Sequence, residues 1–265
     1  KNTDSNVATA IRTIVILIFS WIMVFLVGAQ NTLGNISGRT LLFLVLSGIA
    51  TGLSWLCYFR ALQYGDVNKV APIDKSSTVL TMILAFIILG EGITILKLAA
   101  MAAIGIGTWL MIAKKPVEAK EEKSSKGNAW LIYAIFSAIF ASLTSILGKI
   151  GIQNIDSNLG TAIRTIVVLI MAWIGGGASG KIKEITRTDK TSLGFICFSG
   201  ITTGLSWLCY YRALQDGQAS IVVPIDKLSI LVTIIFSRLF LKEKLTRKAL
   251  VGLCLLVMGT LLLLV

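Results

Sequence analysis

Ionisable side chains that recur at one fixed spacing are the residues of this sequence best suited to chemistry. Four pairs stand inside long apolar segments, each separated by 152 positions: Arg12 and Arg164, Asp74 and Asp226, Lys75 and Lys227, and Arg60 and Arg212. Arg60 and Arg212 fall near the ends of their helices, where a cation suits the helix C-terminus, so the first three pairs are of interest here. A charged side chain near the centre of a bilayer-spanning helix costs about 2.5–3.5 kcal/mol and usually marks a binding or proton-transfer site. These six residues are therefore candidates for contact with a solute or a proton.

The two arginines, Arg12 and Arg164, fall one to two turns into their predicted helices. At that depth a long side chain reaches back to the polar interface only with strain. The other interpretation is that the guanidinium contacts substrate in a cavity. The sequence leaves both open.

A Pro-Ile-Asp-Lys tetrapeptide occurs twice in the chain. Because proline is common at the first position of a helix, we expect each copy to open a helix, with the aspartate and lysine in its first turn. There the helix dipole stabilises an aspartate, so Asp74 and Asp226 are either caps or proton-coupling sites. A lysine is disfavoured there, so Lys75 and Lys227 need a negative partner, either the aspartate or the substrate. The duplicated sequence does not say which aspartate is held by a cation and which titrates.

The string Ser-Trp-Leu-Cys-Tyr is also present twice and supplies further candidate substrate-binding residues. These are Ser54, Trp55, Tyr58, Ser206, Trp207 and Tyr210. Each Trp and Tyr are three residues apart and so share a helix face, which could hold an organic cation by cation–π attraction or stack on an aromatic solute. Helix packing or an interfacial belt would use the same residues. The string is identical in both halves while apolar positions around it drift, which raises the binding interpretation.

The composition is that of a membrane protein. Of 265 residues, 55% are apolar and 14% charged, and the mean hydropathy is +0.83. Soluble domains are roughly 45–50% apolar and roughly 25% charged. Runs long enough to span a bilayer are predicted at 7–28, 40–64, 70–90, 94–113, 129–152, 159–178, 192–216, 221–241 and 246–265. The sequence thus predicts an all-α, polytopic membrane helix bundle with nine spans.

Several classes of site are excluded or disfavoured. Histidine is absent, and the four cysteines lack the C-x-x-C spacing of zinc sites. We therefore expect no metal, no cofactor and no enzyme, since catalysis would depend on aspartate and lysine alone. The formal net charge is +12, but the basic residues lie mostly between apolar runs, where they set orientation, so no nucleic-acid partner is expected.

The chain is an internal duplication. Residues 48–75 match residues 200–227 at 20 of 28 positions, and residues 1–18 match 153–170 at 13 of 18. This predicts a first repeat at 1–113, a polar linker at 114–128 and a second repeat at 129–265. The second copy carries an extra span at 130–152, which implies a ten-helix parent whose first helix is missing here. Two copies with five spans each enter the membrane in opposite directions, as inverted repeats of secondary transporters do.

The ordered motifs resemble the EamA-type branch of the drug/metabolite transporter superfamily. They are R-A-L-Q at the end of one helix, A-P-I or V-P-I at the next, a later glutamate (Glu91, Glu243) and a glycine-rich last helix (Gly105, Gly107; Gly252, Gly259). The resemblance implies a transporter with two five-helix repeats around a central cavity, often serving export.

We accordingly expect a secondary transporter that moves small metabolites or drugs by alternating access, in the plasma membrane of a bacterium or archaeon. Its expected partners are a small-molecule substrate, the lipid bilayer and protons as coupling ion, and a homodimer is also considered. The alternative is a membrane subunit that transports nothing itself.

Overall fold

The structure is a computed structural model that describes residues 5–64, 70, 73–111, 129–178, 190–240 and 246–264. Every regular element in these ranges is helical. The α-helices are α1 (Ser5–Val27), α2 (Gly38–Tyr64), α3 (Ser77–Ile88), α4 (Ile95–Met111), α5 (Ala129–Ile152), α6 (Ser157–Ala178), α7 (Lys190–Asp216), α8 (Ala219–Lys227), α9 (Ser229–Phe240) and α10 (Arg247–Leu262), with a 3-10 helix at Ala29–Asn35. The predicted linker at 114–128 lies outside the described residues.

Each of the nine predicted spans contains a described helix, which confirms the all-α fold. By length and apolar composition, six stretches of the described chain are able to cross a membrane: Ala8–Val27, Gly38–Tyr64, Ala129–Ile152, Ser157–Gly175, Thr191–Asp216 and Ala219–Phe236. Helices α3, α4 and α10 have 12, 17 and 16 residues, fewer than the roughly 20 that span a bilayer core without adjustment.

The expected helix start at the second Pro-Ile-Asp-Lys tetrapeptide is wrong. Pro224 lies inside α8, so Asp226 and Lys227 fall in its last turn rather than its first. The helix begins five residues earlier because its first N–H groups find an acceptor in Glu91. Asp74 and Lys75 are helical residues before a turn at Ser76, ahead of α3, and Pro72, at which the first copy's helix is expected to begin, lies outside the described residues.

Glu91 caps the N-terminus of α8 from another part of the chain. Its Oε1 accepts a hydrogen bond from the Ala219 N–H at 2.6 Å, and its Oε2 accepts one from the Ser220 N–H at 2.9 Å. Lys97 secures the same junction, since its Nζ donates to the Gly92 carbonyl at 2.8 Å and to Gln218 Oε1 at 2.6 Å. Helix N-termini leave N–H groups unsatisfied, so a carboxylate there is stabilising. Glu91, one of the two glutamates of the recurring motif, is thus a helix cap, and the other, Glu243, lies outside the described residues.

The chain divides into two compact units. Unit 1 comprises Lys1–Leu53 and Leu147–Asp216, and unit 2 comprises Ser54–Ile146 and Gly217–Val265. Each unit draws on both sequence repeats, and the predicted repeat boundaries stay a prediction.

Within unit 2, α4 and α10 pack with their backbones in contact. A Cβ placed on Gly107 would lie 2.6 Å from the Gly252 carbonyl oxygen, and one placed on Gly252 would lie 2.6 Å from that of Gly107. Further along, a Cβ on Gly259 would lie 3.0 Å from the Ala100 carbonyl oxygen. The later residue of α4, Gly107, contacts the earlier residue of α10, Gly252, and the earlier Ala100 contacts the later Gly259. The two helices therefore run antiparallel. At the 152-residue offset Gly107 corresponds to Gly259 and Ala100 to Gly252, so the two contacts are images of each other.

Unit 1 contains a second pair of matching contacts. A Cβ on Gly48 of α2 would lie 2.7 Å from the Val167 Cβ of α6, and a Cβ on Gly200 of α7 would lie 2.7 Å from the Val15 Cβ of α1. Gly48 corresponds to Gly200 and Val15 to Val167 at the same offset. The glycine-bearing helix of each copy therefore packs on a helix of the other copy.

The close packing at Gly107 predicts that an added methyl group is tolerated less well there than at Gly105 in the same helix. We expect Gly107→Ala to destabilise the protein by about 1–3 kcal/mol, because overpacking against backbone atoms outweighs the better helix propensity of alanine. Gly105→Ala is the matched control in the same helix, since its Cβ would meet the Val79 side chain at an ordinary 3.4 Å. Thermal unfolding of the detergent-solubilised variants measures the difference, and equal melting temperatures would contradict the packing described.

The capping bonds predict a local effect of Glu91 substitution. Glu91→Ala removes both acceptors, and we expect a loss of about 0.5–2 kcal/mol, the usual range for a helix cap. Hydrogen–deuterium exchange at Ala219 and Ser220 should become faster in this variant, whereas Glu91→Gln, which keeps one acceptor oxygen, should show a smaller change. Unchanged exchange in Glu91→Ala would show that the cap is dispensable.

Candidate functional site

Arg164 lies in the interior of unit 1 and does not reach an aqueous edge. Arg164 is 2% exposed. It belongs to α6, a helix otherwise composed largely of apolar and small residues. Of the two interpretations left open by the sequence, an interfacial position thus does not apply to Arg164. Its charge is accommodated by neighbouring side chains inside the unit.

Two hydroxyl groups of α2 orient the Arg164 guanidinium. Its Nε donates to Ser47 Oγ at 3.0 Å, and its Nη2 donates to Thr51 Oγ1. Ser47 and Thr51 are four residues apart, so they stand one above the other on the same face of the helix. Because α2 passes close to α6 at Gly48, these short side chains reach the guanidinium.

Two aromatic rings of α7 contact the same guanidinium. The Cζ atom of Arg164 lies 5.0 Å from the ring centroid of Trp207 and 4.8 Å from that of Tyr211. Both distances fall within the range of cation–π attraction, which is stronger where the cation is desolvated. Gly148 of α5 leaves room for this arrangement, since a Cβ there would lie 2.6 Å from Tyr211 Cε1.

One part of the Arg164 guanidinium stays without a partner. Nη1 is buried and forms no hydrogen bond in the described part of the chain. Among the described residues no carboxylate forms a salt bridge with Arg164 either. The site therefore combines a fixed, buried positive charge with an unused donor.

The matching arginine of the first copy, Arg12, has different surroundings. It is half-buried, and its Nε is buried with no hydrogen-bond partner in the ranges the structure describes. The residues corresponding to Ser47 and Thr51 are Ser199 and Thr203, but the Thr203 hydroxyl donates to the Ser199 carbonyl at 2.7 Å. The two arginines thus share a sequence position without sharing a hydrogen-bond network.

Asp74 belongs to a second polar cluster, in unit 2. Its Oδ1 accepts a hydrogen bond from Ser137 Oγ of α5 at 3.0 Å. Ser54 of α2 donates in turn to the Ser137 carbonyl at 3.1 Å, and Ser137 Oγ lies 3.2 Å from the Ser54 carbonyl. Within the described residues the partner of Asp74 is therefore a neutral hydroxyl.

Asp226, the counterpart of Asp74, is paired with a cation. Its Oδ2 lies 3.2 Å from Nζ of Lys227, and both side chains are about one-third exposed, at 36% and 38%. In the first copy Lys75 is exposed. Identical tetrapeptides therefore give one aspartate held by its neighbouring lysine and one bonded to a serine.

The remaining predicted residues are dispersed. Trp55 is half-buried, Tyr58 packs beside Ala61, Val70 and Ala134 in an apolar cluster of unit 2, and Ser206 is exposed. Tyr210 contacts the ring of Tyr211 edge-on, at 5.4 Å between centroids. The predicted aromatic pair was Trp207 and Tyr210, three residues apart. The pair that contacts Arg164 is instead Trp207 and Tyr211, four residues apart.

Four site residues were not among those predicted: Ser47, Thr51, Ser137 and Tyr211. Of these, only Tyr211 could have been found from the sequence. The repeated string Ser-Trp-Leu-Cys-Tyr is followed by Phe59 in the first copy and by Tyr211 in the second. A hydroxyl gained next to an otherwise unchanged string marks a position where the copies differ chemically. Ser47, Thr51 and Ser137 carry no comparable mark.

No metal centre is built by the described residues, in which no three His, Cys, Asp or Glu side chains cluster. Cys57, Cys197, Cys209 and Cys254 are free thiols. The chemistry available in the described sites is thus that of an arginine, hydroxyl groups, aromatic rings and carboxylates.

Comparison with known proteins finds relatives in bacteria and in an archaeon, two of which are named as transporters. An uncharacterized transporter in the cobO 3' region of Sinorhizobium sp. is 40% identical over 136 residues, 51% of this chain and 96% of that protein. An uncharacterized transporter, YxxF, of Bacillus subtilis (strain 168) is 22% identical over 195 residues, 72% of this chain and 60% of its own length. An uncharacterized protein of Methanocaldococcus jannaschii is 39% identical over 83 residues, 31% of this chain and 61% of its own length.

A solved crystal structure shares the fold, with a TM-score of 0.61 and 13% sequence identity over 97% of this chain and 96% of the other. The model of the EamA-like transporter family matches residues 1–113 and 128–265, which together make up nearly the whole sequence. With both halves matched and the all-helical fold in place, the chain belongs to the EamA-like transporter family.

Proposed function

We propose that this integral membrane transporter is a secondary transporter that exports small metabolites or drugs by alternating access between two inverted repeats, and that it is not an enzyme. The observation that carries the proposal is that helices of one copy pack on helices of the other through pairs of contacts that correspond at the 152-residue offset. Bacterial and archaeal relatives support the plasma membrane of a prokaryote as its location.

The direction of matching helices supports inversion. The contacts of Gly107 with Gly252 and of Ala100 with Gly259 make α4 and α10, which are counterparts in the repeat, run antiparallel. Counterparts related by a two-fold axis in the membrane plane must do so, whereas copies related by an axis along the membrane normal would run parallel. Exchanging the conformations of two such copies opens a site alternately to each side.

The contrast between the two aspartates supports proton coupling at Asp74. A coupling carboxylate must gain and lose a proton during the cycle, so a permanent cationic partner works against its function. Asp226 has such a partner in Lys227, at 3.2 Å. Asp74 accepts only a hydroxyl hydrogen bond among the described residues, from Ser137 at 3.0 Å. We assign Asp74 to coupling and Asp226 to structure.

Two conservative substitutions distinguish these roles. In proteoliposomes supplied with amino acids, organic cations and phosphorylated sugars, we expect a pH gradient to drive uptake by the wild type. Asp74→Asn cannot exchange a proton and should reduce the flux in the presence of the gradient to the level measured without it. Asp226→Asn, the matched control, should keep most of the gradient-driven flux. Flux of the labelled solute is measured with and without the gradient.

Three other outcomes have definite meanings. If both variants keep the flux and pH dependence of the wild type, the protein is a uniporter or uses another ion, and the coupling assignment fails. If Asp226→Asn alone loses coupling, the roles are reversed. If no solute in the panel moves, the alternative of a membrane subunit that transports nothing gains ground over the transporter.

A further inference from the structure

Arg164 combines two features that protein interiors rarely tolerate together. Its relative solvent exposure is 2%, and no described carboxylate forms a salt bridge with it. A buried charge is ordinarily compensated by an opposite charge, because desolvation alone is strongly unfavourable. The neutral hydroxyls of Ser47 and Thr51 orient the guanidinium but do not neutralise it. A full compensating negative charge would therefore be supplied by a group outside the described residues.

One nitrogen of the guanidinium is left for a further hydrogen bond. Nε and Nη2 are committed to α2, and the rings of Trp207 and Tyr211 are engaged with the guanidinium. Nη1 is the nitrogen that lacks a partner in the described chain. A guanidinium edge with a free N–H group is suited to an oxygen of a carboxylate or a phosphate, for which charge-assisted hydrogen bonds are short and strong.

The same arrangement argues against an organic cation. Trp207, one of the two aromatic residues that the sequence offered for cation–π binding in the second copy, already contacts the protein's own cation. A second cation close to Arg164 would meet a like charge in a medium of low dielectric, where repulsion at short range is strong.

We infer that Arg164 binds the oxyanion group of the transported solute through Nη1, so that the substrates are small organic anions. The inference rests on the proposed transport function and names its substrate class. Because Nη1 is screened from solvent in this conformation, the solute enters in another state of the transport cycle. Arg12 has none of the hydrogen bonds that orient Arg164, so among the described residues this arrangement is formed at Arg164 alone.

Matched compounds that differ only in charge test the inference on the wild-type protein. The probes are benzoate, benzamide, benzylamine and phenyl phosphate, with hexanoate, hexanamide and hexylamine as an aliphatic series, all at constant chloride and pH. Ligand binding to the folded state raises the melting temperature. We expect at least one oxyanion to raise it by about 2 °C or more, and the amides and amines to leave it unchanged. The carboxylate and phosphate arms tell which oxyanion is preferred.

Variants then assign the effect to Arg164. Arg164→Gln should abolish the shift, and Arg212→Gln should retain it, because Arg212 is an exposed residue that forms a surface ion pair with Asp216. If Arg164→Gln does not fold, Thr51→Val serves in its place. It keeps the arginine but removes the hydroxyl that orients the guanidinium, and we expect the oxyanion to raise the melting temperature less than in the wild type.

The inference is overturned if the amines stabilise the wild type, if no oxyanion does, or if oxyanions stabilise Arg164→Gln as well as the wild type. Its failure is separable from failure of the proposed function. Oxyanion binding at Arg164 without flux in proteoliposomes would support the site and contradict transport. Flux of amines or neutral solutes without oxyanion binding would support transport and contradict the site.

Discussion

The position of one buried positive charge explains much of the packing in unit 1. Ser47 and Thr51 have short side chains, so they bond Arg164 only if α2 approaches α6 closely. Gly48 permits that approach, since a Cβ there would lie 2.7 Å from the Val167 Cβ. Gly148 similarly admits the ring of Tyr211. Glycines that would weaken a helix in water are therefore retained where they bring polar groups to the arginine.

Sequence patterns were sufficient for the helices but not for the environment of each charge. The nine apolar runs predicted helices correctly, because length and hydrophobicity in a membrane chain are local properties. The start of α8 was predicted at Pro224 and is at Ala219, because Glu91 supplies acceptors from more than a hundred positions away. Contacts of that kind leave no periodic pattern in the chain.

The candidate residues show the same division. Arg164, Trp207, Asp74 and Ser54 were identified from their type and their repetition, and the structure gives them polar or aromatic partners. Repetition did not say which aspartate of the duplicated pair a cation holds; in the structure Asp226 contacts Lys227, whereas Asp74 accepts a hydrogen bond from Ser137. Helix α5 supplies Ser137 to Asp74 and Gly148 to the ring of Tyr211. Closely similar segments therefore acquire different chemistry where α5 contacts Asp74 of the first copy and Tyr211 of the second.

The antiparallel contact of α4 with α10 has an electrostatic consequence. Each helix has a partial positive charge at its N-terminus and a partial negative charge at its C-terminus, equivalent to about half an elementary charge. Side by side in opposite directions, the two macrodipoles largely cancel. At the α8 N-terminus in the same unit, the carboxylate of Glu91 offsets the positive end. These helices consequently impose little directional field of their own, so a charged solute would respond mainly to discrete side chains and to the membrane potential.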